Sequence, residues 1–362
     1  MFTFVFNIQI KMHSNTNNIY MQRCLELAKL GERRVSPNPM VGCVIVHDGK
    51  IIGEGFHQLY GQAHAEVNAI NSVANQNLLT KSTLYVNLEP CAHYGKTPPC
   101  SDLIIDRQIP SVVVGTVDPF AKVAGKGIEK MMKAGIDVRV GILHDECMEL
   151  NRRFFSFQKE KRPYIIMKWA QTADGYVDTD REANLFGKPT WITNEMARIA
   201  VHKQRATETA ILIGTETALK DNPSLTLRDW YGEQALRIAP DRNLRLPANL
   251  NLFNNKAPTL AVLSRNYPDE RQCSIITVDN QSDIIDAILS HLYHENIQSM
   301  IVEGGPKMLQ SFIDRGLWDE AHVYIGQICF KSGIKAPVFN YSPEKFDRFY
   351  NSELRIFRNR KQ

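Results

Sequence analysis

The segment 64-HAEVNAINSVANQNLLTKSTLYVNLEPCAHYGKTPPC-100 decides the interpretation of the first half of this 362-residue chain. Its chemistry-bearing residues include His64, Cys91 and Cys100, which are one imidazole and two thiols. Together they can occupy three corners of a tetrahedral zinc shell whose fourth position stays open. Structural zinc sites are normally closed by four protein ligands, so this set is typical of a catalytic site.

Glu66 follows the histidine by two positions and is not needed as a metal ligand. We expect it to move protons on and off a water molecule whose pKa the zinc lowers to about 7. These groups are the equipment of a hydrolytic deaminase, which attacks an amino-bearing ring carbon and releases ammonia. The usual deaminase signature has two residues between its cysteines, whereas residues 92–99 separate Cys91 from Cys100 here.

Two alternatives stay open when this segment is considered alone. It could form a closed structural zinc site, or Cys91 and Cys100 could be two buried thiols. His93 is the rival for a fourth ligand, and its place inside the cysteine loop suits substrate contact as well as ligation. The ordered combination of His-x-Glu, Pro-Cys and Cys favours the catalytic interpretation.

A weaker signal lies in the second half, where Val302 and Glu303 precede Gly304 and Gly305. Backbone N–H groups at a helix start can approach a phosphate there, although a glycine C-cap or a plain turn explains the pattern equally well. Arg205 and Arg228 could be ordinary surface arginines, and Trp191 could belong to the core. These residues alone indicate an α/β domain with room for an anionic ligand.

Predicted helices and strands alternate along both halves, which favours an α/β architecture. Asp48 and Gly49 predict a tight β-hairpin, and a helix is predicted from about Asp145 to Phe157. The charged, proline-ended segment 159–163 is typical of a linker. The expected domains span residues 12–158 and 163–362.

The composition argues against several classes of protein. A net charge of +4 and an isoelectric point near 8.6, without a block of like charges, do not indicate nucleic-acid binding. Seven cysteines are an odd number, which favours free thiols in a reducing cytoplasm. No apolar run approaches a membrane span, and residues 1–11 lack the marks of a signal peptide. We leave residues 1–11 out of the fold argument because Met12 could be the initiator.

Motifs from both halves follow one another in a recognisable order. The first half contains 36-SPNPMVG-42, 64-HAE-66, 89-EPCAHYGKTPPC-100 and 123-VAGKGI-128. The second half contains 168-KWAQTADG-175, 191-WIT-193, 205-RATETAILIG-214, 221-DNPSLTLR-228 and 302-VEGG-305. In this order they resemble the bifunctional riboflavin-biosynthesis deaminase–reductase family, from Tyr20 to about Ile325.

The resemblance implies a fold and two consecutive reactions. The first domain would be a cytidine-deaminase-like α/β/α sandwich that uses Zn²⁺ to deaminate 2,5-diamino-6-(5-phosphoribosylamino)pyrimidin-4-one. The second would be a dihydrofolate-reductase-like α/β domain that uses NADPH to reduce the ribosyl side chain to ribityl. The expected partners are small phosphorylated pyrimidines, not nucleic acid or membrane, and we expect a homo-oligomer.

The resemblance also assigns residues to each site. In the first domain zinc falls on His64, Cys91 and Cys100, the proton shuttle on Glu66, and substrate contacts on Asn38, His93, Lys96 and Asp118. In the second, cofactor contacts fall on Ala170, Trp191, Thr217, Asp221, Arg242 and the run Gly305, Pro306, Lys307, Met308, Leu309, Gln310 and Ser311. Substrate contacts there fall on Arg205, Leu225, Arg228 and Glu303.

The chain departs from the family pattern at a few positions. Phe120 and Ala121 stand where Asn and Pro are usual, and Thr172 and Ala173 replace a Ser-Leu pair. Two other functions stay open. The chain could be a zinc deaminase acting on a nucleic-acid base, with the C-terminal half a binding module, or a non-enzymatic zinc scaffold. The weak net charge and the lack of a basic, aromatic-rich strip argue against the first of these.

Overall fold

The structure is a computed structural model, which describes residues 15–94, 98–118, 124–182, 187, 190–265, 271–279 and 281–359. The chain divides into two compact units, and the boundary falls between Lys159 and Glu160. Each unit has its own main β-sheet, so the two-domain α/β fold expected from the sequence is confirmed. In the described part of the chain, no helix combines the length and the apolar character that a membrane crossing requires.

The first unit contains a five-stranded sheet in the order β2-β1-β3-β4-β5. Its strands are β1 (Gly42–His47), β2 (Lys50–Phe56), β3 (Thr83–Leu88), β4 (Ser111–Thr116) and β5 (Asp137–Val140). Its helices are α1 (Asn15–Lys29), α2 (Ala65–Ser72), α3 (Cys100–Asp106), α4 (Lys126–Lys133), α5 (His144–Leu150) and α6 (Arg152–Glu160). Strand β1 runs antiparallel to β2 and β3, whereas β3, β4 and β5 are parallel.

Helices cover both faces of this sheet. Side chains alternate along a strand, and in β1 Cys43 and Ile45 pack in one apolar cluster while Val44 and Val46 pack in another. The first cluster includes residues of α2, α3 and α4, and the second includes residues of α1 and α5. The unit is therefore an α/β/α sandwich.

The predicted hairpin between β1 and β2 is confirmed. Asp48 and Gly49 have φ angles of 47° and 71°, and His47 pairs with Lys50. Positive φ at both central residues matches the twist of the flanking strands, which explains the Asp-Gly pair at this turn.

The helix predicted from about Asp145 to Phe157 was wrong as a single element. The structure has two helices, α5 and α6, separated by Asn151. Asn151 is buried, and its side-chain amide bonds the backbone of Met40 instead of facing solvent. A buried amide needs hydrogen-bond partners, and the interruption of the helix places Asn151 where it finds them.

The second unit contains a nine-stranded sheet in the order β11-β10-β9-β8-β12-β6-β13-β16-β15, and a two-stranded sheet of β14 and β7. Its strands are β6 (Tyr164–Thr172), β7 (Tyr176–Asp178), β8 (Ala210–Leu212), β9 (Leu236–Pro240), β10 (Thr259–Leu263), β11 (Ser274–Thr277), β12 (Ser299–Val302), β13 (Glu320–Gly326), β14 (Ile334–Lys335), β15 (Lys345–Phe349) and β16 (Ser352–Arg358). Its helices are α7 (Glu195–Thr207), α8 (Thr215–Asp221), α9 (Ile284–His294) and α10 (Pro306–Asp314).

Strands β11 through β13 in this sheet are parallel, and β16 and β15 are added antiparallel. Parallel strands place their carboxyl ends at one edge, so the loops after β8 and β12 lie near each other. These loops carry Gly214 and Gly305, which cap α8 and α10.

All seven cysteines lie in the described residues, and none of them forms a disulfide. Cys24, Cys43, Cys100 and Cys147 are buried, whereas Cys329 is exposed. Within the described chain no disulfide bond stabilises either unit, so the fold is stabilised by apolar packing and hydrogen bonds.

Candidate active sites

Three elements deliver the predicted metal ligands to one place in the first unit. His64 is the N-cap of α2, Cys91 follows β3, and Cys100 begins α3. The backbone N–H of Cys100 also bonds the Cys91 sulfur at 3.3 Å. The ligands therefore sit at two helix starts and a strand end, where short segments of chain are held by their own hydrogen bonds.

The ligand distances fit a zinc ion. His64 Nδ1 lies 3.6 Å from Cys91 Sγ and 3.3 Å from Cys100 Sγ, and all three ligand atoms lie within 4.8 Å of one another. Zinc–ligand bonds of about 2.0–2.3 Å at tetrahedral angles place the ligands roughly 3.5–3.8 Å apart. The residues therefore fit Zn²⁺, and no fourth His, Cys, Asp or Glu joins this group in the described chain.

The pKa values of the two thiols are shifted in opposite directions. A hydrogen bond with the Cys100 thiol, together with one from His64, lowers the pKa of Cys91 despite its burial. The hydrogen bond with Cys91, together with burial, raises the pKa of Cys100 well above its ordinary value. Thiolate is the form that binds metals, so the lowered pKa of Cys91 favours its role as a ligand.

Glu66 lies in the first turn of α2 and is 3% exposed. Burial raises the pKa of its carboxyl to about 7, and the neighbouring Cys91 adds to this shift. A carboxyl group with a pKa near 7 can accept and release a proton at neutral pH, which is what a general acid–base residue requires.

The side chain of Asn38 is held by His57, a residue that the sequence did not single out. The buried His57 bonds Asn38 Nδ2 through Nε2 at 3.1 Å and the Ala63 carbonyl through Nδ1 at 3.1 Å. Burial lowers the pKa of His57, which favours the neutral ring. Because a carbonyl only accepts, Nδ1 carries the proton and Nε2 accepts from Asn38. Asn38 Oδ1 is then left to bind another group.

Three predicted residues of the first unit remain: His93, Lys96 and Asp118. His93 is exposed, and Lys96 lies outside the described residues. The backbone N–H of Asp118 donates to the carboxylate of Glu89 at 3.3 Å. Glu89 also accepts from the backbone N–H groups of Gly125 and Gly127, both at 2.9 Å. The residue that precedes Pro90 and Cys91 thus ties the ligand segment to the loop after β4.

The second unit contains a buried cluster of charged groups at the end of β12. Arg205 donates to Glu303 through Nε at 2.7 Å and through a terminal nitrogen at 2.8 Å. Lys168 Nζ lies 3.5 Å from the same carboxylate. Burial alone raises the pKa of Glu303, but the two cations overcome it and lower the pKa to about 2. The structure therefore brings together Arg205 and Glu303 and adds Lys168, which the sequence did not predict as a site residue.

Two glycines, Gly304 and Gly305, lie between β12 and α10. Gly305 caps α10, and a Cβ atom added at Gly305 would lie 2.8 Å from Thr217 Oγ1. A Cβ added at Gly304 would lie 2.7 Å from Met308 Cβ. The first residue of α10 is Pro306, which has no N–H, so the donors that a ligand could meet at this turn are the N–H groups that follow it and the Thr217 hydroxyl. The structure thus brings together Thr217, Gly305 and Met308 from the predicted set.

Other predicted residues of the second unit have partners of their own. Trp191 is 59% exposed, and the guanidinium carbon of Arg198 lies 5.6 Å from its ring centroid. Asp221 pairs with Arg181. Arg242 donates to the Ser282 carbonyl at 2.6 Å.

Ala170, Leu225 and Arg228 complete the predicted set outside α10. Ala170 lies on β6 opposite Tyr324, Leu225 is buried with a φ of 51°, and the Arg228 backbone bonds His202 at 3.3 Å. Pro306, Lys307, Leu309, Gln310 and Ser311 lie on α10, where Leu309 is buried. Each of these residues is thus placed by contacts within the second unit.

Comparisons with known proteins cover nearly the whole chain. Two family models match, the RibD C-terminal domain over residues 163–330 and the cytidine and deoxycytidylate deaminase zinc-binding region over residues 14–116. A riboflavin biosynthesis protein RibD from Aquifex aeolicus (strain VF5) is 39% identical over 322 residues, which cover 87% of this chain and 88% of the relative. A protein of the same name from Actinobacillus pleuropneumoniae is 37% identical over 347 residues, covering 93% and 90%.

A solved structure extends the similarity to the fold of the entire chain. It is the crystal structure of a diaminohydroxyphosphoribosylaminopyrimidine deaminase/5-amino-6-(5-phosphoribosylamino)uracil reductase from Thermotoga maritima. The match has a TM-score of 0.84 at 35% sequence identity and covers 95% of this chain and 98% of that chain. Both units therefore have counterparts, in the same order, in one known protein.

Proposed function

The chain belongs to the RibD family of riboflavin biosynthesis proteins, and from that premise we propose which residues carry its two reactions. It is a bifunctional enzyme that uses Zn²⁺ and NADPH. Its first reaction is the hydrolytic deamination of 2,5-diamino-6-(5-phosphoribosylamino)pyrimidin-4-one, and its second reduces the ribosyl side chain to ribityl. We assign the deaminase to residues 12–158 and the reductase to residues 163–362.

The observation that carries the deaminase assignment is the convergence of His64, Cys91 and Cys100 beside the buried Glu66. These three ligands would hold zinc, which when bound activates a water molecule for attack on the amino-bearing ring carbon. The Glu66 carboxylate accepts the proton of that water and returns it to the departing nitrogen, so ammonia leaves uncharged. The pKa of about 7 at Glu66 suits both transfers.

Four residues are proposed to bind the substrate of the deaminase: Asn38, His93, Lys96 and Asp118. Asn38 offers its free carbonyl oxygen, because its amide nitrogen is bound by His57. The imidazole of His93 is exposed and able to contact the ring. Lys96 is a cation that suits the substrate phosphate, and Asp118 lies beside the carboxylate that anchors the loop after β4.

The proposed cofactor residues are Ala170, Trp191, Thr217, Asp221, Arg242 and the run 305–311. NADPH supplies the hydride of the second reaction. The N–H groups at the start of α10 suit its phosphates, and the Thr217 hydroxyl lies against Gly305 at the same turn. The protein's part is to orient the two reactants and keep water out.

Arg205, Leu225, Arg228 and Glu303 are proposed to bind the substrate of the reductase. Glu303 engages Nε and one terminal nitrogen of Arg205, and this bidentate contact fixes the plane of the guanidinium. The other terminal nitrogen then points away from the carboxylate and suits an anionic phosphate.

The experiment that tests the function is incubation of the purified chain with the diaminopyrimidine phosphate, with and without NADPH. Ammonia release and loss of nicotinamide absorbance are followed separately. We expect ammonia without NADPH, and NADPH oxidation only after deamination. Absence of ammonia release from the zinc-loaded chain would reject the deaminase assignment.

We propose that the chain acts on small phosphorylated pyrimidines rather than on nucleic acid or a membrane, works in the cytoplasm and forms a homo-oligomer. The mild net charge of +4 and the odd cysteine count support the first two statements. Sedimentation measurements over a range of concentrations test the third.

A further inference from the structure

Two buried asparagines hold the backbone from Met40 to Gly42, which follows the predicted substrate residue Asn38. Met40 donates its backbone N–H to Asn151 Oδ1 at 2.8 Å, and its carbonyl accepts from Asn151 Nδ2 at 2.9 Å. The same carbonyl accepts from Asn87 Nδ2 at 3.1 Å, while Asn87 Oδ1 accepts from Gly42 N–H at 2.8 Å. The side-chain oxygen and nitrogen of both asparagines therefore bond the backbone between Met40 and Gly42.

The two asparagines come from distant parts of the unit. Asn87 lies on β3 and is 0% exposed, whereas Asn151 separates α5 from α6 and is 2% exposed. Met40 and Asn151 are 111 positions apart. Buried amides that bond only one peptide segment restrict that segment strongly, because any shift leaves polar groups without partners.

The segment that they grip contains Asn38, two residues before Met40. The Asn38 backbone N–H bonds the Val35 carbonyl at 2.8 Å, and its side chain is held by His57 at 3.1 Å. Both the peptide path and the amide edge of Asn38 are therefore set before any substrate arrives. Such preorganisation matters because small displacements of a contact residue carry large losses of rate or affinity.

We propose that Asn151 and Asn87 are positioning residues of the deaminase: they fix the Met40 peptide and so hold Asn38 in the geometry that meets the pyrimidine ring. This inference rests on the proposed function, in which Asn38 contacts the substrate. Under this proposal the interruption between α5 and α6 serves substrate binding as well as packing, because it places Asn151 against Met40.

The test is the kinetics of Asn151→Ala in the full chain. We expect the KM for the diaminopyrimidine phosphate to rise about ten-fold, with kcat within about three-fold of the wild type. Zinc content and reduction of the pre-deaminated substrate should be unchanged. The control is Gln76→Ala, which removes an exposed side-chain amide of the same unit that donates to the Ile70 and Val73 carbonyls, both at 2.8 Å. The control should keep the wild-type KM.

A double-mutant cycle separates positioning from general loosening. In an Asn38→Ala background the effect of Asn151→Ala on KM should shrink to less than about two-fold, since the residue through which Asn151 acts is gone. A wild-type KM in Asn151→Ala, an equal KM rise in Gln76→Ala, or a full ten-fold effect in the Asn38→Ala background would each overturn the proposal.

Two further variants cover the case in which Asn151→Ala loses its zinc. Asn151→Ser keeps a hydroxyl in the buried position, and Asn87→Ala removes the other half of the grip. A raised KM in either variant with zinc retained supports the proposal, whereas loss of zinc in all three overturns it in favour of a purely structural role. If the wild type itself releases no ammonia, the proposed function fails and the inference fails with it.

Discussion

Arg205 and Glu303 are 98 positions apart, yet the two side chains form a bidentate pair with distances of 2.7 and 2.8 Å. Both are largely buried, with side-chain exposures of 11% and 8%. Removing one partner of a buried ion pair lowers the free energy of unfolding far more than removing one partner of an exposed pair. The reason is that the remaining buried charge is not solvated by water. This pair therefore connects the stability of the second unit with its proposed substrate site.

Arg205→Ala should destabilise the second unit by about 3–5 kcal/mol, because Glu303 would be left buried beside Lys168 alone. The tryptophans report this unit selectively, since they all follow Glu160: Trp169, Trp191, Trp230 and Trp318. Urea unfolding followed by tryptophan fluorescence measures the change. The control is Arg245→Ala, which breaks an exposed pair with Glu216 and should change stability by less than about 1 kcal/mol. Equal losses in the two variants would contradict the prediction.

The stabilisation by Glu303 should disappear in acid. Burial opposes its ionisation, but the cations Arg205 and Lys168 lower its pKa to about 2 in the folded chain. The unfolded carboxyl titrates near 4.3, so its contribution is full above that pH and is lost as the pH falls toward 2. We expect the stability difference between the wild type and Glu303→Gln to narrow over this range, as measured by urea midpoints at several pH values. A difference that stays constant from pH 6 to about 2.5 would reject the assignment.

Glu66→Gln should lower deamination by about 10²–10⁴-fold, because the amide cannot carry the proton from water to the departing nitrogen. The three zinc ligands are untouched, so zinc content should stay at the wild-type level. Reduction of the pre-deaminated substrate should also survive, because the reductase residues lie in the other unit. Ammonia release, metal analysis and NADPH oxidation measure the three quantities. Loss of both activities in a folded chain would argue against two independent sites.

Removal of zinc with a chelator should abolish ammonia release and leave NADPH-dependent reduction intact. All three metal ligands lie before the boundary at Lys159, and no further ligand group of His, Cys, Asp or Glu occurs in the described chain. Restoring zinc should restore deamination. A parallel fall in NADPH oxidation would show that the metal also supports the second unit.

Addition of NADPH should stabilise the second unit by about 2.7 kcal/mol when the cofactor is at 100 times its Kd, and the melting temperature reported by tryptophan fluorescence should rise accordingly. Gly305→Ala should reduce this shift, because the new methyl group would lie 2.8 Å from Thr217 Oγ1 and obstruct the turn. Its melting temperature without NADPH is the control for folding. An unchanged NADPH shift in Gly305→Ala would place the cofactor phosphates elsewhere.

The parts of the molecule that the sequence predicted depend on local chemistry. Asp48 and Gly49 signal their hairpin because the turn itself demands positive φ. His64, Cys91 and Cys100 were recognisable because zinc accepts few residue types. Helix α9 also has a local signal, since its N-cap Asp283 accepts from the N–H groups of Ile285 and Asp286.

The parts that could not be predicted depend on pairs far apart in the chain. The contact of Asn151 with Met40 has no local signature, and a helical pattern on both sides conceals the interruption. His57 is an isolated histidine until the fold brings it to Asn38. Strands β15 and β16 lie where the motifs end, and β16 is defined by its pairing with β13.

The cysteines differ in burial, so chemical labelling of one thiol can be compared with labelling of another in the same chain. Cys329 is exposed, so an alkylating reagent should modify it in every state, whereas four other thiols are shielded. Cys91 is partly accessible, and a coordinated metal would protect its sulfur from the same reagent. The ratio of label on Cys91 to label on Cys329 should therefore fall as the chain is loaded with zinc.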